Sequence, residues 1–578
     1  MSKLQKIIQI ESDTLISHEE NFRVIAGPGA GKTFWLVNHI KNVLSNSTRL
    51  SNNSKIACIT YTNNAVGEIV DRLRNTSDNV YISTIHNFLY KFVIKPYGFL
   101  LKNESDEHII NLYELDGHEE HIPNSRIINE WKKENNLFYI KDDNKIFECL
   151  SDLDWKSDNK GNITLQPRKS WKRKIGKYWI KNEYFQSYKS LYWKIGVLHH
   201  EDVLYFSYII LKENPEVLSF LSTLIPYIFV DEFQDTNPLQ TNILSMISMS
   251  NTKIGVIGDP EQSIYGFQGA NRKDFHSFNI PELNDYIIKG NRRSSNEIVH
   301  LLNNLRSDNN KQIPIRNTKS RNPRIIVGKP DKILYPYIDK YNSAMILSRN
   351  NQTIGQIKNR NNKNVQNKWE LSRSIDSNAD RQLFLYKSIY AAELTELGLY
   401  KESIQVASKI FYKDTNNEKI LKTKKKELSI LLIEEVLNIK RNNKDIHIFD
   451  FINNLQKIFN EKHSIKICPP ITRGKYKDLS EKLKYSELVQ ALRISDDNSN
   501  ITTIHKAKGL ENEKVFVVMD NKDLKYLIDP EIDSDEDDSR IYYVALSRAR
   551  DDLQILIPNK LDSSEVEKLI SLGFDVII

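Results

Sequence analysis

The stretch FRVIAGPGAGKT, residues 22–33, decides the fold class of this chain. Its first part, FRVIA, has the apolar character of a buried strand, and a glycine-rich loop follows at once. From Thr33 onward, apolar residues recur at helical spacing. They are Leu36, Val37, Ile40, Val43 and Leu44. A strand, a glycine-rich loop and a helix in this order are typical of a parallel α/β domain that binds phosphate.

The loop that begins at Ala26 has the composition of a nucleotide site. Its residues are Ala26, Gly27, Pro28, Gly29, Ala30, Gly31, Lys32 and Thr33. Glycines let consecutive backbone N–H groups face a phosphate, and the following helix adds the positive end of its dipole. Lys32 is expected to reach the β- and γ-phosphates, and Thr33 to place its hydroxyl on Mg²⁺. Ala26 replaces the first glycine of the general pattern, which relaxes the match only slightly.

Further apolar runs extend the alternation of strands and helices along the chain. The predicted strands are KIACIT (55–60), YIFV (227–230), KIGVIG (253–258), RIIVG (324–328), AMILS (344–348), KVFVVM (514–519) and LQILI (553–557). Residues 97–199 and 355–495 interrupt this alternation with mostly helical patterns. We interpret them as insertions into two α/β cores.

The segment DEFQDT, residues 231–236, follows the predicted strand YIFV. A carboxylate at the carboxyl end of a parallel strand can face the phosphate loop of a neighbouring strand. Asp231 is then the acid on the Mg²⁺ side, and Glu232 is placed to orient or deprotonate the attacking water. Without the phosphate loop, the same pair of acids would indicate a solvated loop.

Composition excludes several classes of protein. The 578 residues suffice for roughly three or four domains. No apolar run approaches the ~18 residues of a membrane span, and the start of the chain has no secretory apolar core, so a cytoplasmic location is expected. The 3 cysteines lie too far apart for a disulfide framework or a zinc cluster. The net charge of +7 favours an anionic partner only mildly.

Eight segments in a fixed order carry a family resemblance. They are AGPGAGKT (26–33), ITYTNNAVGEIVDRL (59–73), STIHNF (83–88), DEFQDT (231–236), GDPEQSIYGFQGA (258–270), NRRSSNEI (291–298), TTIHKAKGLEN (502–512) and RIYYVALSRAR (540–550). In these segments the chain resembles the UvrD/Rep-type superfamily 1 DNA helicases. The resemblance implies an α/β fold of two RecA-like P-loop motor domains, each interrupted by a mostly helical accessory insertion, with ATP in the cleft between them. The implied bounds are 1–96 and 200–280 for motor domain 1, 281–354 and 496–578 for motor domain 2, and 97–199 and 355–495 for the insertions.

The resemblance also implies roles in ATP hydrolysis. Lys32, Thr33, Asp231 and Glu232 match the group that binds phosphate, holds the metal and activates water. Gln262 resembles the γ-phosphate sensor, Arg293 and Arg548 resemble two arginine fingers supplied by motor domain 2, and Glu511 resembles the ribose contact. Gln9 is the candidate for the adenine-reading glutamine, with Gln5 as the alternative.

A DNA track across both motor domains is implied as well. The candidate contacts are Tyr61, Thr62, Thr84, His86, Asn87, Tyr265, Phe267, Thr503 and His505. Aromatic rings stack on bases of any sequence, whereas hydroxyls and imidazoles suit phosphates. Core packing of the rings and a structural role for the two histidines are the competing interpretations. The choice between DNA and RNA stays open, because it depends on geometry around the 2′-hydroxyl.

Four positions depart from the family pattern. Asn64 replaces a usual lysine, Phe267 and Gln268 replace a Trp-Arg pair, and Asn512 replaces a phenylalanine. The residues expected for ATP chemistry are all kept, whereas the expected grip on DNA is reduced. These departures put the strength of unwinding in doubt more than the ATPase activity.

The segment 168–194, within the first insertion, combines charge and aromatic rings. It holds nine Lys or Arg residues, eight aromatic residues and one acid. Interleaved cations and rings suit the backbone and bases of a nucleic acid. The alternative is a pair of amphipathic helices whose rings are buried and whose lysines are solvated.

The resulting hypothesis is an ATP-dependent helicase or translocase with ATP and Mg²⁺ as cofactors and single-stranded or duplex DNA as its partner. The 3′-to-5′ polarity comes from the resemblance alone, and no membrane partner is expected. The compact chain is also similar to the helicase-like subunit of the Gabija anti-phage system, which works with a separate nuclease subunit; DNA repair is the alternative role. A regulatory ATPase subunit that senses nucleotide and DNA, with little processive unwinding, is the alternative function. A P-loop ATPase that does not act on DNA fits the eight ordered segments poorly.

Overall fold

The computed structural model describes most of the chain between residues 7 and 577. The gaps in this description are 62, 74–78, 158–161, 267–268, 307, 309, 342, 359–367, 377, 397, 412–421, 444, 493–499 and 531–535. The chain forms two compact units. The first comprises Met1–Ile354 with Thr502–Ile578, and the second comprises Gly355–Ile501.

The first unit contains a seven-stranded sheet built around the strand that leads into the phosphate loop. In spatial order the strands are Ile8–Ile10, Leu283–Ile288, Asn21–Ala26, Lys253–Gly258, Tyr227–Val230, Ile56–Thr60 and Val80–Thr84. The pairings are parallel, and Val24 of the strand Asn21–Ala26 lies between Tyr286 and Ile257. Parallel strands end at the same edge of a sheet, so the phosphate loop and DEFQDT come side by side.

Helices cover this sheet and bury its apolar strands. They are Lys32–Asn46, Asn63–Leu73, Ile85–Leu89, Lys95–Tyr97, His200–Glu213, Pro215–Leu224, Pro238–Ser248 and Arg272–Ser277. Short 3₁₀ or π turns lie at Tyr90–Ile94, Gly98–Leu100, Phe233–Asp235 and Pro260–Gln262. In the first helix, Trp35, Leu36, Ile40 and Val43 are buried, as the helical spacing predicts.

A six-stranded sheet forms the second core of the same unit. In spatial order its strands are Ile501–Thr503, Met345–Ser348, Asn512–Val518, Ala549–Ile557, Arg324–Val327 and Asp575–Ile577. The pairings from Met345–Ser348 to Asp575–Ile577 are parallel. Its helices are Asn296–Leu305, Pro330–Lys340, Asn351–Lys358, Lys525–Ile528, Asp538–Leu546 and Ser563–Leu572. Two parallel α/β cores confirm the predicted fold class, and all the predicted strands are present.

The first insertion packs onto the seven-stranded sheet. Its helices are Ser125–Glu134, Asp143–Leu150 and Asn182–Trp193. It also contains two β-hairpins, Leu153–Ser157 with Ile163–Pro167 and Lys174–Ile175 with Tyr178–Trp179, which the helical patterns did not predict. Its buried rings, including Trp131 and Phe185, belong to the same hydrophobic core as Ile228 and Val230 of the sheet.

The described part of the second unit is helical, apart from an isolated β-bridge between His447 and Lys484 and its last residue, Ile501, which begins the strand Ile501–Thr503. Its helices are Lys368–Ile375, Ala379–Glu396, Tyr400–Ser408, Lys422–Asn442, Ile448–His463, Lys475–Ser480 and Tyr485–Leu492. Phe384, Leu432 and Phe451 lie in its own hydrophobic core. Among the helices that the structure describes, none combines the length and the apolar character needed to cross a membrane.

Candidate functional site

The phosphate loop joins the strand Asn21–Ala26 to the helix Lys32–Asn46. Gly29 and Gly31 have φ angles of 69° and 84°, a left-handed backbone that glycine adopts without steric cost. Gly31 is the N-cap of the helix, so the N–H groups of the first turn face the loop. Lys32 Nζ donates to the Ala26 carbonyl at 3.2 Å. The loop is therefore a backbone cradle with one cation over it, which suits a polyphosphate.

The two acids of DEFQDT lie at the carboxyl end of the strand Tyr227–Val230. Asp231 is buried, and Glu232 has a left-handed backbone with φ of 53°. This turn lets the Glu232 amide donate to Asp231 Oδ1 at 2.9 Å. Burial, and then repulsion from Glu232, raise the pKa of Asp231. Burial opposes ionisation of Glu232, but Lys32 and Lys508 lower its pKa, so Glu232 carries the negative charge of the pair.

Gln262 connects the two cores at this site. Its Nε2 donates to Asp259 Oδ2 at 2.8 Å, and its Oε1 accepts from Arg548 Nη2 at 2.9 Å. Lys508 donates to the Gln262 carbonyl at 2.7 Å and forms an ion pair with the buried Asp235. The side chains of Arg548 and Lys508 come from the second core, whereas Gln262 follows a strand of the first. The structure thus brings the predicted sensor and one predicted arginine finger into direct contact.

Arg293 and Arg548 lie close together beside the phosphate loop. Burial, and then Arg293, lower the pKa of the Arg548 guanidinium to about 9. Arg293 Nε donates to Glu511 Oε2 at 2.5 Å, and its Nη1 donates to the Ser547 carbonyl at 3.3 Å. Two crowded guanidiniums favour an anionic ligand, because negative charge between them relieves their repulsion. The donor set therefore fits a nucleotide polyphosphate with its metal ion.

Side chains from beyond the predicted site residues hold the phosphate loop. Asn291 Nδ2 and Gln312 Nε2 both donate to the Pro28 carbonyl, at 3.0 Å and 2.9 Å. A Cβ atom added at Gly29 would lie 2.6 Å from the Cβ of Arg293. The loop glycines thus permit a close approach of residues 290–293. Asn291 lies within the family segment 291–298, whereas no sequence signal identifies Gln312.

A buried ion network lies behind Gln262. Arg306 is 3% exposed, and its guanidinium lies 3.3 Å from Asp259 and 2.7 Å from Asp308. It also donates to the Tyr543 hydroxyl at 2.9 Å. Because Asp259 accepts from Gln262, this network fixes the sensor from the rear. Sequence reasoning missed Arg306, which lies outside the eight family segments.

The two candidates for the nucleoside lie in different settings. Glu511 is exposed and is paired with Arg293, with Arg550 3.7 Å from its second oxygen. Gln9 is exposed on the edge strand Ile8–Ile10, opposite Ile287. The alternative, Gln5, lies outside the described residues.

The DNA candidates fall into two groups. The rings of Tyr61 and Tyr265 stack with centroids 4.7 Å apart, and the Tyr265 hydroxyl donates to the His505 carbonyl at 3.3 Å. Thr503, on the strand two residues before His505, is buried. In the second group, Thr84 caps the helix Ile85–Leu89 by accepting from the Asn87 amide at 3.4 Å. Two of the candidates, Thr62 and Phe267, lie outside the described residues, as do Gln268 and the side chain of Asn64.

A cavity of about 1190 Å³ adjoins the first of these groups. Gly266 and Lys273 line it from the first core, and Arg349, His505 and Asp537 line it from the second. The Gly266 amide donates to Asp537 Oδ2 at 2.7 Å, which closes part of the wall. Cations and acids thus face one cleft between the two cores.

His86 belongs to a histidine cluster that the sequence did not predict. Its ring stacks on His200 with centroids 4.9 Å apart, and the Nδ1 atoms of His118 and His200 lie 2.8 Å apart. Burial, and then its histidine neighbours, lower the pKa of His86 well below its usual value. Its imidazole is therefore neutral at physiological pH, and it can hydrogen-bond a phosphate without adding charge.

A second group of side chains nearby includes residue types that bind metals, but the ammonium of a lysine already lies among them. His121, His199 and Glu201 converge in the buried core. The ammonium of Lys189 lies 2.8 Å from His199 Nδ1 and 2.7 Å from Glu201 Oε1. Asp202 lies 2.8 Å from the same ammonium. The group is thus a buried ion pair that anchors the first insertion to the helix His200–Glu213.

Matches to known proteins extend over nearly the whole chain. Residues 9–281 match the UvrD/REP helicase N-terminal domain, and residues 273–560 match the UvrD-like helicase C-terminal domain. A probable DNA helicase II homolog of Mycoplasma capricolum is 24% identical over 93% of this chain and 82% of its own length. The ATP-dependent DNA helicase Rep of Buchnera aphidicola subsp. Schizaphis graminum is 25% identical over 92% of this chain and 90% of its own. The ATP-dependent DNA helicase PcrA of Leuconostoc citreum is 24% identical over 56% of this chain and 41% of its own.

Proposed function

Because the chain belongs to the UvrD/Rep helicase family, we propose that it is an ATP-dependent DNA helicase that moves 3′-to-5′ along single-stranded DNA. The observation that carries this proposal is the hydrogen bond of 2.9 Å between Arg548 and Gln262. It joins the two cores at the candidate ATP site. Hydrolysis in such a site depends on how the cores meet, and this dependence couples the chemistry to movement.

In the proposed site, the loop Ala26–Thr33 holds the phosphates of ATP through its backbone N–H groups, and Lys32 neutralises their charge. Thr33 and Asp231 would hold Mg²⁺. A bound ion would supply positive charge that offsets the negative charge of the phosphate oxygens. Glu232, which carries the negative charge of the acid pair, orients the attacking water and accepts its proton.

The transition state gathers charge on the γ-phosphoryl oxygens, and Arg293 and Arg548 stabilise it from the second core. Gln262 is the proposed γ-phosphate sensor, and its hydrogen bond to Arg548 couples the position of Arg548 to the presence of that phosphate. Glu511 is the proposed ribose contact, and Gln9 is the proposed reader of adenine. Glu511 also pairs with Arg293, so a ribose bound by Glu511 competes with that ion pair.

The proposed DNA track runs over both cores. The stacked pair of Tyr61 and Tyr265, next to His505, supplies aromatic surface, and the cavity of about 1190 Å³ supplies room for a strand. Thr84, His86 and Asn87 on one side and Thr503 on the other are the proposed phosphate contacts. Thr62 and Phe267 complete the proposed set. We assign residues 1–96 and 200–280 to motor domain 1 and residues 281–354 and 496–578 to motor domain 2, with insertions at 97–199 and 355–495.

The biological role proposed here is anti-phage defence in the cytoplasm, with a separate nuclease subunit as in the Gabija system. A second function is favoured by Asn64, Phe267 and Gln268, which replace residues that strengthen the grip on DNA in the family. In it the chain is a regulatory ATPase that senses nucleotide and DNA and unwinds little. The two functions differ in whether ATP hydrolysis separates strands.

ATP hydrolysis by the isolated chain, with and without single-stranded DNA, tests the proposal. We expect DNA to stimulate hydrolysis and Lys32→Ala to abolish it. Strand displacement from duplexes with a 3′ or a 5′ single-stranded tail then tests direction, and the 3′-tailed duplex is expected to be unwound. An equal rate of hydrolysis with and without DNA would contradict the proposed motor function. DNA-stimulated hydrolysis without strand displacement would favour the regulatory subunit.

A further inference from the structure

The basic and aromatic segment 168–194 divides into two structural parts. In the helix Asn182–Trp193, the rings are buried in the core. The part before this helix is the 3₁₀ turn Ser170–Arg173 followed by the hairpin Lys174–Ile175 with Tyr178–Trp179, and two of its rings face solvent: Trp171 is 65% exposed and Trp179 is 55% exposed. Packing therefore accounts for the rings of the helix, whereas it leaves two large indoles on the surface without a structural role.

Arg173 holds the indole of Trp179 in place. Its guanidinium lies 5.0 Å from the ring centroid of Trp179. The same guanidinium donates to the Ile180 carbonyl at 2.8 Å and to Asn182 Oδ1 at 2.7 Å. The indole is thus fixed against a rigid support while more than half of its surface stays open. An aromatic ring fixed in this way loses little conformational entropy when it binds a ligand.

The charge around the two indoles is positive. Three acids near the hairpin are paired with cations: Asp152 with Lys172 at 3.1 Å, Asp154 with Arg168 at 3.1 Å, and Glu183 with Lys181 at 3.4 Å. Three further lysines, Lys169, Lys174 and Lys177, are exposed and take part in no ion pair among the residues that the structure describes. The hairpin therefore presents two open rings among three uncompensated cations.

We propose that this hairpin surface, Lys169 to Trp179, is a second binding site for a single-stranded nucleic acid. Trp171 and Trp179 each stack on an unpaired base, and Lys169, Lys174 and Lys177 neutralise the phosphates. Bases of every type have a π-face, so such a site tolerates any sequence. The site lies on the first insertion and shares no residue with the proposed motor track. The inference rests on the proposed function, since it gives the translocated strand a second anchor.

Binding of fluorescently labelled oligo(dT) and oligo(rU) to the full chain tests the site. We expect Trp171→Ala with Trp179→Ala to weaken binding by roughly 5- to 150-fold for each ring removed. Replacement of the same two residues by Phe keeps the stacking surface and is expected to restore most of the affinity. Phe220→Ala serves as the matched control, because it removes a ring that is 64% exposed on the helix Pro215–Leu224, outside the proposed site. Comparison of the dT and rU affinities identifies which strand the site takes.

The salt dependence of binding tests the cations independently of the rings. Each phosphate contact to a single strand contributes about −0.7 to the slope of log K against log salt, so loss of three contacts should flatten the slope by about 2. The variant is Lys169→Ala with Lys174→Ala and Lys177→Ala. Lys172 and Arg173 are left intact, because the first is paired with Asp152 and the second supports the hairpin.

The outcomes separate this site from the motor. If the Trp variant still shows DNA-stimulated ATP hydrolysis, but needs more DNA to reach half of the maximal stimulation, the second site is supported. Unchanged affinity in the Trp variant, together with an unchanged salt slope in the Lys variant, overturns the second site while the motor stands. If the wild-type chain neither binds oligo(dT) nor responds to it in hydrolysis, the proposed function fails, and this inference fails with it.

Discussion

Arg548 Nη2 donates a hydrogen bond of 2.9 Å to Gln262 Oε1, and this bond crosses from the second core to the first. The rest of the guanidinium is held by its own core. Its Nε donates to the Val544 carbonyl at 3.0 Å, and its Nη1 donates to the Leu510 carbonyl at 3.2 Å. Arg548 is therefore oriented by the protein's own carbonyl groups, and a transition state gains most from groups that need no reorganisation.

Arg548→Ala should lower kcat for ATP hydrolysis by about 10³-fold or more, because an arginine finger stabilises charge that develops only in the transition state. The KM for ATP should change much less. Steady-state phosphate release checks both constants. Arg550→Ala is the matched control: Arg550 lies two residues further along the chain and forms a long ion pair of 3.7 Å with Glu511, and its loss should leave kcat close to the wild-type value.

Two glycine-to-alanine substitutions should have different effects: one should reduce ATP hydrolysis, and the other should raise stability. Gly29→Ala places a Cβ atom 2.6 Å from Arg293 in a backbone with φ of 69°, so it should reduce kcat/KM for ATP by more than about tenfold. Gly67→Ala lies in the helix Asn63–Leu73 with no atom within 4 Å of the added Cβ. It should raise the free energy of unfolding by about 0.4–1 kcal/mol and leave hydrolysis unchanged. Activity assays and thermal melting of both variants check this pair. A Gly29→Ala enzyme with normal hydrolysis would show that residues 290–293 do not need to approach the loop.

Loss of the buried Arg306 should destabilise the chain strongly. Arg306→Met leaves Asp259 and Asp308 without their cation and should cost about 3–5 kcal/mol, which thermal melting measures as a lower Tm. Arg292→Met makes the same chemical change at a side chain that is 43% exposed and lies 3.6 Å from Glu11. That surface pair should contribute less than about 1 kcal/mol. Equal Tm losses in the two variants would contradict the network.

Glu261 should make stability depend on pH. Burial raises its pKa from 4.5 to about 7, although Arg272 opposes the shift. The folded chain then keeps a proton that the unfolded chain releases, so the free energy of unfolding falls as pH rises from about 4.5 to about 7 and stays lower above that range. Glu261→Gln removes this penalty and should raise stability above pH 7 by up to about 3 kcal/mol.

Melting curves across this pH range check the Glu261 effect. The Tm of Glu261→Gln should fall less than that of the wild type as pH rises. Glu567→Gln changes an exposed glutamate and should follow the wild-type curve. Parallel curves for wild type and Glu261→Gln would show that the Glu261 carboxyl is ionised in the folded chain at all these pH values.

The sequence predicted the parts of the fold that local pattern determines. Apolar runs such as Tyr227–Val230 are buried on both faces of a parallel sheet, so their composition alone marks them. The strands Ile8–Ile10 and Val80–Thr84 lie at the two edges of the first sheet, are less buried and were missed. The hairpin Lys174–Ile175 with Tyr178–Trp179 was also missed, because strands of two residues leave no periodic signal.

The candidate site was predictable where its residues lie inside the family segments. Gln262 contacts Arg548 of the second core, Lys32 lies in the phosphate loop and Asp231 follows a strand of the first core, and their chemical roles stay predictions. Gln312 and Arg306 could not be found in this way. Gln312 donates to a carbonyl 284 residues away, and Arg306 reaches Asp259 across 47 residues. Spacing along a chain contains no information about which distant side chains meet across a fold.

The contacts of Asn291 have an evolutionary consequence. Its Nδ2 donates to the Pro28 carbonyl, and its Oδ1 accepts from the amides of Arg293 and Ser294, at 2.9 Å and 3.0 Å. Aspartate offers no donor, leucine offers neither group, and a longer glutamine displaces both ends of the bridge. Drift at this position should therefore be tolerated only in lineages that also alter the loop around Pro28, so the two sites are expected to change together as related chains diverge.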